Sequence, residues 1–412
     1  MTRALLLYLT SYALSLLGNA VIAVVLPLLV LDVTGSPAAA GTLALATMLP
    51  SALAGLFGGV LVDRFNRRNI SIVSDLISAA SVAALPLVDA AFGLNLGWFI
   101  LLGIAGAVGD LPGMSAREAL LPALLRRSSV NYDRMVGIRE AISGVVIFAG
   151  PAAAGTLMLL LPGATVLYVT ASTSLLAALL TFGIPAATGL DAAAEGRPKL
   201  TAAAVWNETL EGFSVTLRKS RFILAMTVTW LIFGAVWGTM QLLLLPVHFT
   251  EIGMQESLGF VLAAMALGSI IGSVAYAALA KPGTRRQWFV WGSVALWPTF
   301  VAVLLLPPLW ALLVASFLAG LASGPINSLI GVLMIERIPE EFRGRVMSSQ
   351  NSLMTLVPPL FVFAAGLAVE WGSLRGTAVA FAVFWTLGVA WWLRERSFFD
   401  LEAPEDEGVS AA

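Results

Sequence analysis

The stretch Gly59-Val60-Leu61-Val62-Asp63-Arg64-Phe65-Asn66-Arg67-Arg68 puts four charges into a short link between two apolar runs, at about 38–62 and 70–92. Each run is long enough to cross a bilayer. The stretch reads as the turn of a membrane hairpin. Gly59 lets two helix backbones approach, Asp63 sits where the first helix ends, and the arginines are held on the cytoplasmic side.

The rest of the chain fits that reading. Hydrophobic residues make up 59% of it and charged residues 11%, against about 25% charged in soluble domains. Further apolar runs lie at about 5–32, 97–122, 133–161, 164–186, 221–249, 256–280, 287–306, 308–335, 344–369 and 376–393. With the first two they make twelve spans, which places both termini on one side. Lys and Arg sort by that topology: 22 of the 23 fall inside, and Arg375 alone falls outside. The expectation is an all-α polytopic protein of a bacterial inner or plasma membrane, with both termini cytoplasmic and the lipid bilayer as its surround.

Composition also excludes several functions. A net charge of −1 gives no basis for a nucleic-acid partner, and the absence of Cys removes disulfides and thiolate chemistry. One histidine, His248, cannot build a metal cluster alone. No phosphate-cradling Gly-Lys-Ser/Thr loop and no nucleophile-base pair is present, so an enzyme, a cofactor and ATP as direct fuel are not expected. Ser36-Pro37-Ala38-Ala39-Ala40 resembles a signal-cleavage site. The preceding run of about 28 apolar residues is too long for a signal peptide, and a retained helix is expected.

The longest polar interval divides the chain into an N-terminal half (1–186), a linker (187–220), a C-terminal half (221–395) and an acidic, disordered tail (396–412). In the linker Trp206, Leu210, Phe213 and Leu217 recur at helical spacing opposite charged residues. That pattern fits an amphipathic helix on the inner membrane surface or one packed on the bundle. The halves share a register. Leu26-Pro27 corresponds to Leu245-Pro246, Gly55 and Gly59 to Gly268 and Gly272, and Gly103, Asp110 and Pro122 to Gly320, Asn327 and Pro339. Parallel six-helix repeats of this kind place a substrate site near the midplane.

Three segments carry a family resemblance. Gly59 to Arg68 resembles the G-x-L-x-D-R-x-G-R-R loop of the major facilitator superfamily of transporters. Asn66 replaces the usual glycine and is expected to keep the turn through a left-handed backbone. Gly144, Gly150, Pro151 and Gly155 resemble the fifth-helix motif of drug:proton antiporters, although close helix packing accounts for the glycines as well. Pro339 to Met347 is similar to a loop of the branch containing siderophore exporters and drug-efflux proteins. The resemblance implies a monomeric exporter with twelve helices in two halves. Where many relatives carry an acid in the first helix this chain has Asn19, which cannot titrate.

Charged groups within the spans point to the mechanism. Asp110 lies about thirteen residues into the fourth span, where an ion costs on the order of 3 kcal/mol and needs a partner, a wet cavity or a function. The resemblance implies that this helix lines a central cavity, and a carboxyl there can load and release protons. Asp110 is therefore the candidate proton-coupling residue, with a fixed interhelical pair as the alternative. Asn19, Asp110, Met114, Trp230, Phe233, Trp237, Gln241 and Asn327 form the candidate substrate cavity. Gly59, Asp63, Arg64, Arg67, Arg68, Asp75, Arg117, Arg139 and Glu140 form a candidate cytoplasmic gate, partly hydrated, in which Arg64 and Arg117 hold Asp63. Arg67 and Arg68 are expected to serve as topology anchors. The expected activity is export of lipophilic or cationic small molecules in exchange for protons. A siderophore or lipid-like substrate is the nearest alternative, and a passive lipid scramblase is a reading from another class.

Overall fold

In a computed structural model the described residues, 2–126, 132–161, 163–189, 221–281, 284–338, 340–399 and 401, are mostly helical. Side chains at 49, 53, 55–61, 63, 64, 132, 133, 163, 164, 335, 340–345, 347 and 348 stand outside that description. The long helices are α1 (Arg3–Thr34), α2 (Pro37–Arg64), α3 (Arg67–Phe92), α4 (Leu96–Leu125), α5 (Tyr132–Leu160) and α6 (Gly163–Phe182). They continue as α7 (Arg221–Glu251), α8 (Ser257–Leu279), α9 (Arg285–Leu304), α10 (Leu309–Arg337), α11 (Glu340–Trp371) and α12 (Leu374–Arg394). Judged on described residues, eleven of them are long and apolar enough to span a membrane. The twelfth, α2, contains eleven of the side chains outside the description. The linker beyond Gly189 and the tail beyond Leu401 also fall outside it.

Local chemistry sets the turns. α1 stops at Gly35, whose φ of 63° is a left-handed cap that lets its N–H reach the Leu31 carbonyl. Ser36 then caps α2 by accepting from the Ala39 N–H at 3.1 Å, with Pro37 in the first turn. At the signature turn Asn66 departs from expectation. Its backbone is extended (φ −62°, ψ 115°), and its side chain caps α3 by accepting from the Arg68 N–H. Its amide also donates to Ala186 O at 2.9 Å, binding the turn to the end of the α6 segment. The turn is thus held by a side-chain cap rather than by left-handed backbone.

Two compact units emerge: 1–207 with 234–263 and 354–377, and 208–233 with 264–353 and 378–412. In the first, α3 packs on α4 and α6, α2 on α4, and α1 on α5 and α6. In the second, α9 packs on α10, while α8 and α10 interlock through small residues: a Cβ at Gly268, Gly272, Gly320 or Gly324 would strike the facing backbone. Gly103, the counterpart of Gly320, faces α2 less closely: a Cβ there would lie 3.1–3.2 Å from side-chain carbons of Thr47 and Leu43.

Candidate functional site

The first unit encloses a cavity of about 280 Å³ between α1, α2, α3, α4 and one turn of α7. Its walls are mostly apolar, with Ile22, Leu43, Val82 and Phe99 among them. Asp110 is the one ionisable side chain among the described lining residues, and its carboxyl interacts with the Ser78 hydroxyl. Gly103 and Gly106, a turn or two earlier on α4, leave the space beside it open.

One turn away, α4 is pinned against α3. The Ser74 hydroxyl of α3 donates to Gly109 O at 2.7 Å, and a Cβ at Gly113 would collide with Ser74. This small-residue contact fixes the rotation that aims Asp110 into the cavity. The i,i+4 spacing of Gly109 and Gly113 was its only trace in the sequence.

Next to the cavity lies a buried ion pair. Arg117 of α4 binds Asp75 of α3, with side chains 6% and 2% exposed. Ser15 of α1 completes the arrangement, donating to Asp75 Oδ1 at 3.0 Å and accepting from Arg117 Nη1 at 2.8 Å. Tyr8 donates to the Arg117 carbonyl at 3.2 Å. The expectation of a partly hydrated cluster is therefore corrected for these two residues, which are buried and paired with each other. The side chains of Asp63 and Arg64, and Gly59, lie outside the described residues.

Arg67 and Arg68 do more than anchor topology. Both are buried; Arg67 donates to Ala119 O at 3.1 Å, and Arg68 donates to Phe182 O with its guanidinium over the Phe182 ring. They satisfy carbonyls near the ends of α4 and α6. Arg139 pairs with its neighbour Glu140 at 3.2 Å, approaches Glu118 at 3.9 Å and faces the Tyr12 ring at 6.0 Å.

The remaining expected cavity residues are dispersed. Asn19, Trp237 and Gln241 are half-buried in the first unit but do not line the cavity, which α7 reaches through Leu242. Met114 is 46% exposed and points elsewhere. Trp230, Phe233 and Asn327 border a small void of about 20 Å³ in the second unit. Phe233 packs there against Phe300 and Trp385, with ring centroids 5.8 and 6.1 Å away. On α5, Gly150 lies against Ala20 and Gly155 against Glu256 and Gly259, with Pro151 between them, whereas a Cβ at Gly144 would meet nothing.

The Major Facilitator Superfamily model matches residues 8–296 and 239–410. The chain belongs to the major facilitator superfamily. This superfamily member is therefore a multi-pass membrane transporter. It is 30% identical to the Multidrug efflux pump Tap of Mycolicibacterium fortuitum over 372 residues, 89% of each chain. It is 32% identical to the Multidrug efflux pump Tap of Mycobacterium tuberculosis (strain ATCC 25618 / H37Rv) over 376 residues, 89% of this chain and 87% of that one. Its fold is similar to the crystal structure of the nucleoside transporter NupG, with a TM-score of 0.73 at 12% identity, covering 95% of this chain and 98% of the other.

Proposed function

We propose that this superfamily member exports lipophilic cations from a bacterial cell across the inner or plasma membrane, in exchange for protons. Its monomer works by alternating access of two six-helix halves, with both termini in the cytoplasm. The observation that carries this reading is Asp110, an acid set in a mostly apolar cavity. One carboxylate in such a place demands one neutralising partner. A proton and an organic cation compete for that role, and mutual exclusion at a single site is what couples their opposite movements. The names of the curated relatives support efflux as the direction.

The energetics suffice. Exchange of one proton for one monovalent cation moves no net charge, so the pH gradient drives it, and each pH unit, about 1.4 kcal/mol, sustains a tenfold gradient of the cation. The buried Asp75–Arg117 pair is already neutral as a unit and is assigned to holding α1, α3 and α4 around the site, not to coupling.

The test is ethidium transport in proteoliposomes with an imposed pH gradient. The expected result is uphill ethidium movement that follows the gradient and disappears in Asp110→Asn. Flux indifferent to the gradient would make the protein a passive pathway.

A further inference from the structure

Two prolines at corresponding places in the repeat stand at the cavity, Pro27 in its wall and Pro246 one turn beyond it. Pro27 lies inside α1 and lines the cavity together with Ala23, four residues before it. Pro246 lies in α7 four residues after Leu242, the one α7 residue in the wall. A proline has no N–H, so each removes the helical donor for the carbonyl four residues earlier. These are the carbonyls of Ala23 and Leu242. In α7 the loss is compounded by a π-helical turn at Met240–Leu244, in which the Leu245 N–H bonds to Met240 O. Gln241 O thereby loses its α-helical donor as well. Released backbone carbonyls at membrane depth persist where they line a cavity, and they are the acceptors with which transporters hold cations.

The hydroxyls of the wall add no free donors to balance them. Thr47 donates to Leu43 O at 3.0 Å and Ser81 to Ile77 O at 2.8 Å, both within their own helices. Ser78 faces Asp110. No Lys or Arg is among the described lining residues. The polar groups left over among them are then acceptors: the Asp110 carboxylate and the main-chain carbonyls of Ala23 and Leu242, whose helical donors the prolines remove.

We infer that this acceptor set makes the cavity selective for ammonium ions that carry N–H groups over quaternary ammonium ions of the same charge and shape. Asp110 reads the charge, and the carbonyls released by Pro27 and Pro246 read the N–H donors, which a quaternary nitrogen lacks. Pro27 and Pro246 are thus specificity-determining residues that act through the backbone. The inference rests on the cavity being the substrate site, as proposed above, but not on proton coupling.

The test is equilibrium binding to the purified full chain at fixed pH, without any gradient, comparing N-methylbenzylamine in its protonated form with benzyltrimethylammonium. Hydrogen bonds to a charged donor predict an affinity ratio of about tenfold or more in favour of the protonated amine. In Pro27→Ala and Pro246→Ala the restored N–H groups retake the carbonyls, so the ratio falls in each and approaches one in the double variant. A ratio near one in the unaltered protein overturns the inference, and that measurement needs no variant to fold. A ratio unchanged in both single variants overturns it too. Absence of saturable binding by either amine defeats both this inference and the substrate-site reading. A preserved ratio in a protein that ignores a pH gradient leaves the selectivity standing and removes only the coupling.

Discussion

Asp75 and Asp110 lie on adjacent helices with opposite surroundings. Asp75 has an arginine and a serine bound to it, while Asp110 has one hydroxyl and an open cavity. Removing one member of a buried pair strands the other charge. Asp75→Asn is therefore expected to lower stability by about 3–5 kcal/mol, and a combined Asp75→Asn, Arg117→Gln change by clearly less. Thermal unfolding in detergent measures both, and equal losses would show that the pair is not coupled. The depth of Asp110 could be read from the sequence, because its distance from the span ends is a matter of counting. The partner of Arg117 could not, since a helix presents charges on a face and the sequence does not say which neighbour that face meets. The same blindness explains Arg67 and Arg68: their charge announced a cytoplasmic turn, but the carbonyls they satisfy belong to α4 and α6.

Among the elements, α5 shows how a motif divides into parts with different duties. A Cβ at Gly155 would lie 2.6 Å from Glu256 O, and one at Gly150 would overlap Ala20. Gly150→Ala and Gly155→Ala are each expected to cost about 1–3 kcal/mol through forced separation of helices. Gly144→Ala, with open space around it, should be neutral or slightly stabilising by helix propensity. Comparing the three by unfolding in detergent tests this, and equal effects would contradict it. Helix extents were legible because bilayer thickness dictates the length of an apolar run. The π-helical turn of α7 was not, because hydropathy is the same whether carbonyls are donated to at i+4 or i+5. The cavity residues expected on α7 were affected accordingly: Trp230 and Phe233 were read as wall by their chemistry, yet aromatic rings serve equally as packing, and Phe233 sits in a cluster with Phe300 and Trp385.

At the scale of the whole molecule, hydropathy was enough to read the helical membrane spans, because insertion into a bilayer imposes rules that read directly from composition, whereas the transporter family was read from the resemblance of three short segments. Ion pairs at helix ends give a further expectation. Hydrogen bonds from Arg285 hold the Glu336 carboxyl below its ordinary range, and those from Arg221 do the same for Glu395. A depressed folded value means that their contribution is present in full above the ordinary carboxylate range and is lost as pH falls through the folded value. These pairs are solvent-exposed, so the effect is small and screened by salt. A Glu336→Gln, Glu395→Gln variant should lose slightly less stability on acidification than the unaltered protein, a difference that high salt erases; unfolding temperatures across a pH series check it.

The central claim is that one carboxylate, Asp110, exchanges a proton for a cation. The most direct measurement is proton release into weakly buffered detergent solution when benzyltrimethylammonium, which has no proton of its own, binds the purified protein. The account predicts release in step with binding in the unaltered protein and none in Asp110→Asn. Binding without proton release in the unaltered protein, or equal release from the variant, would contradict it.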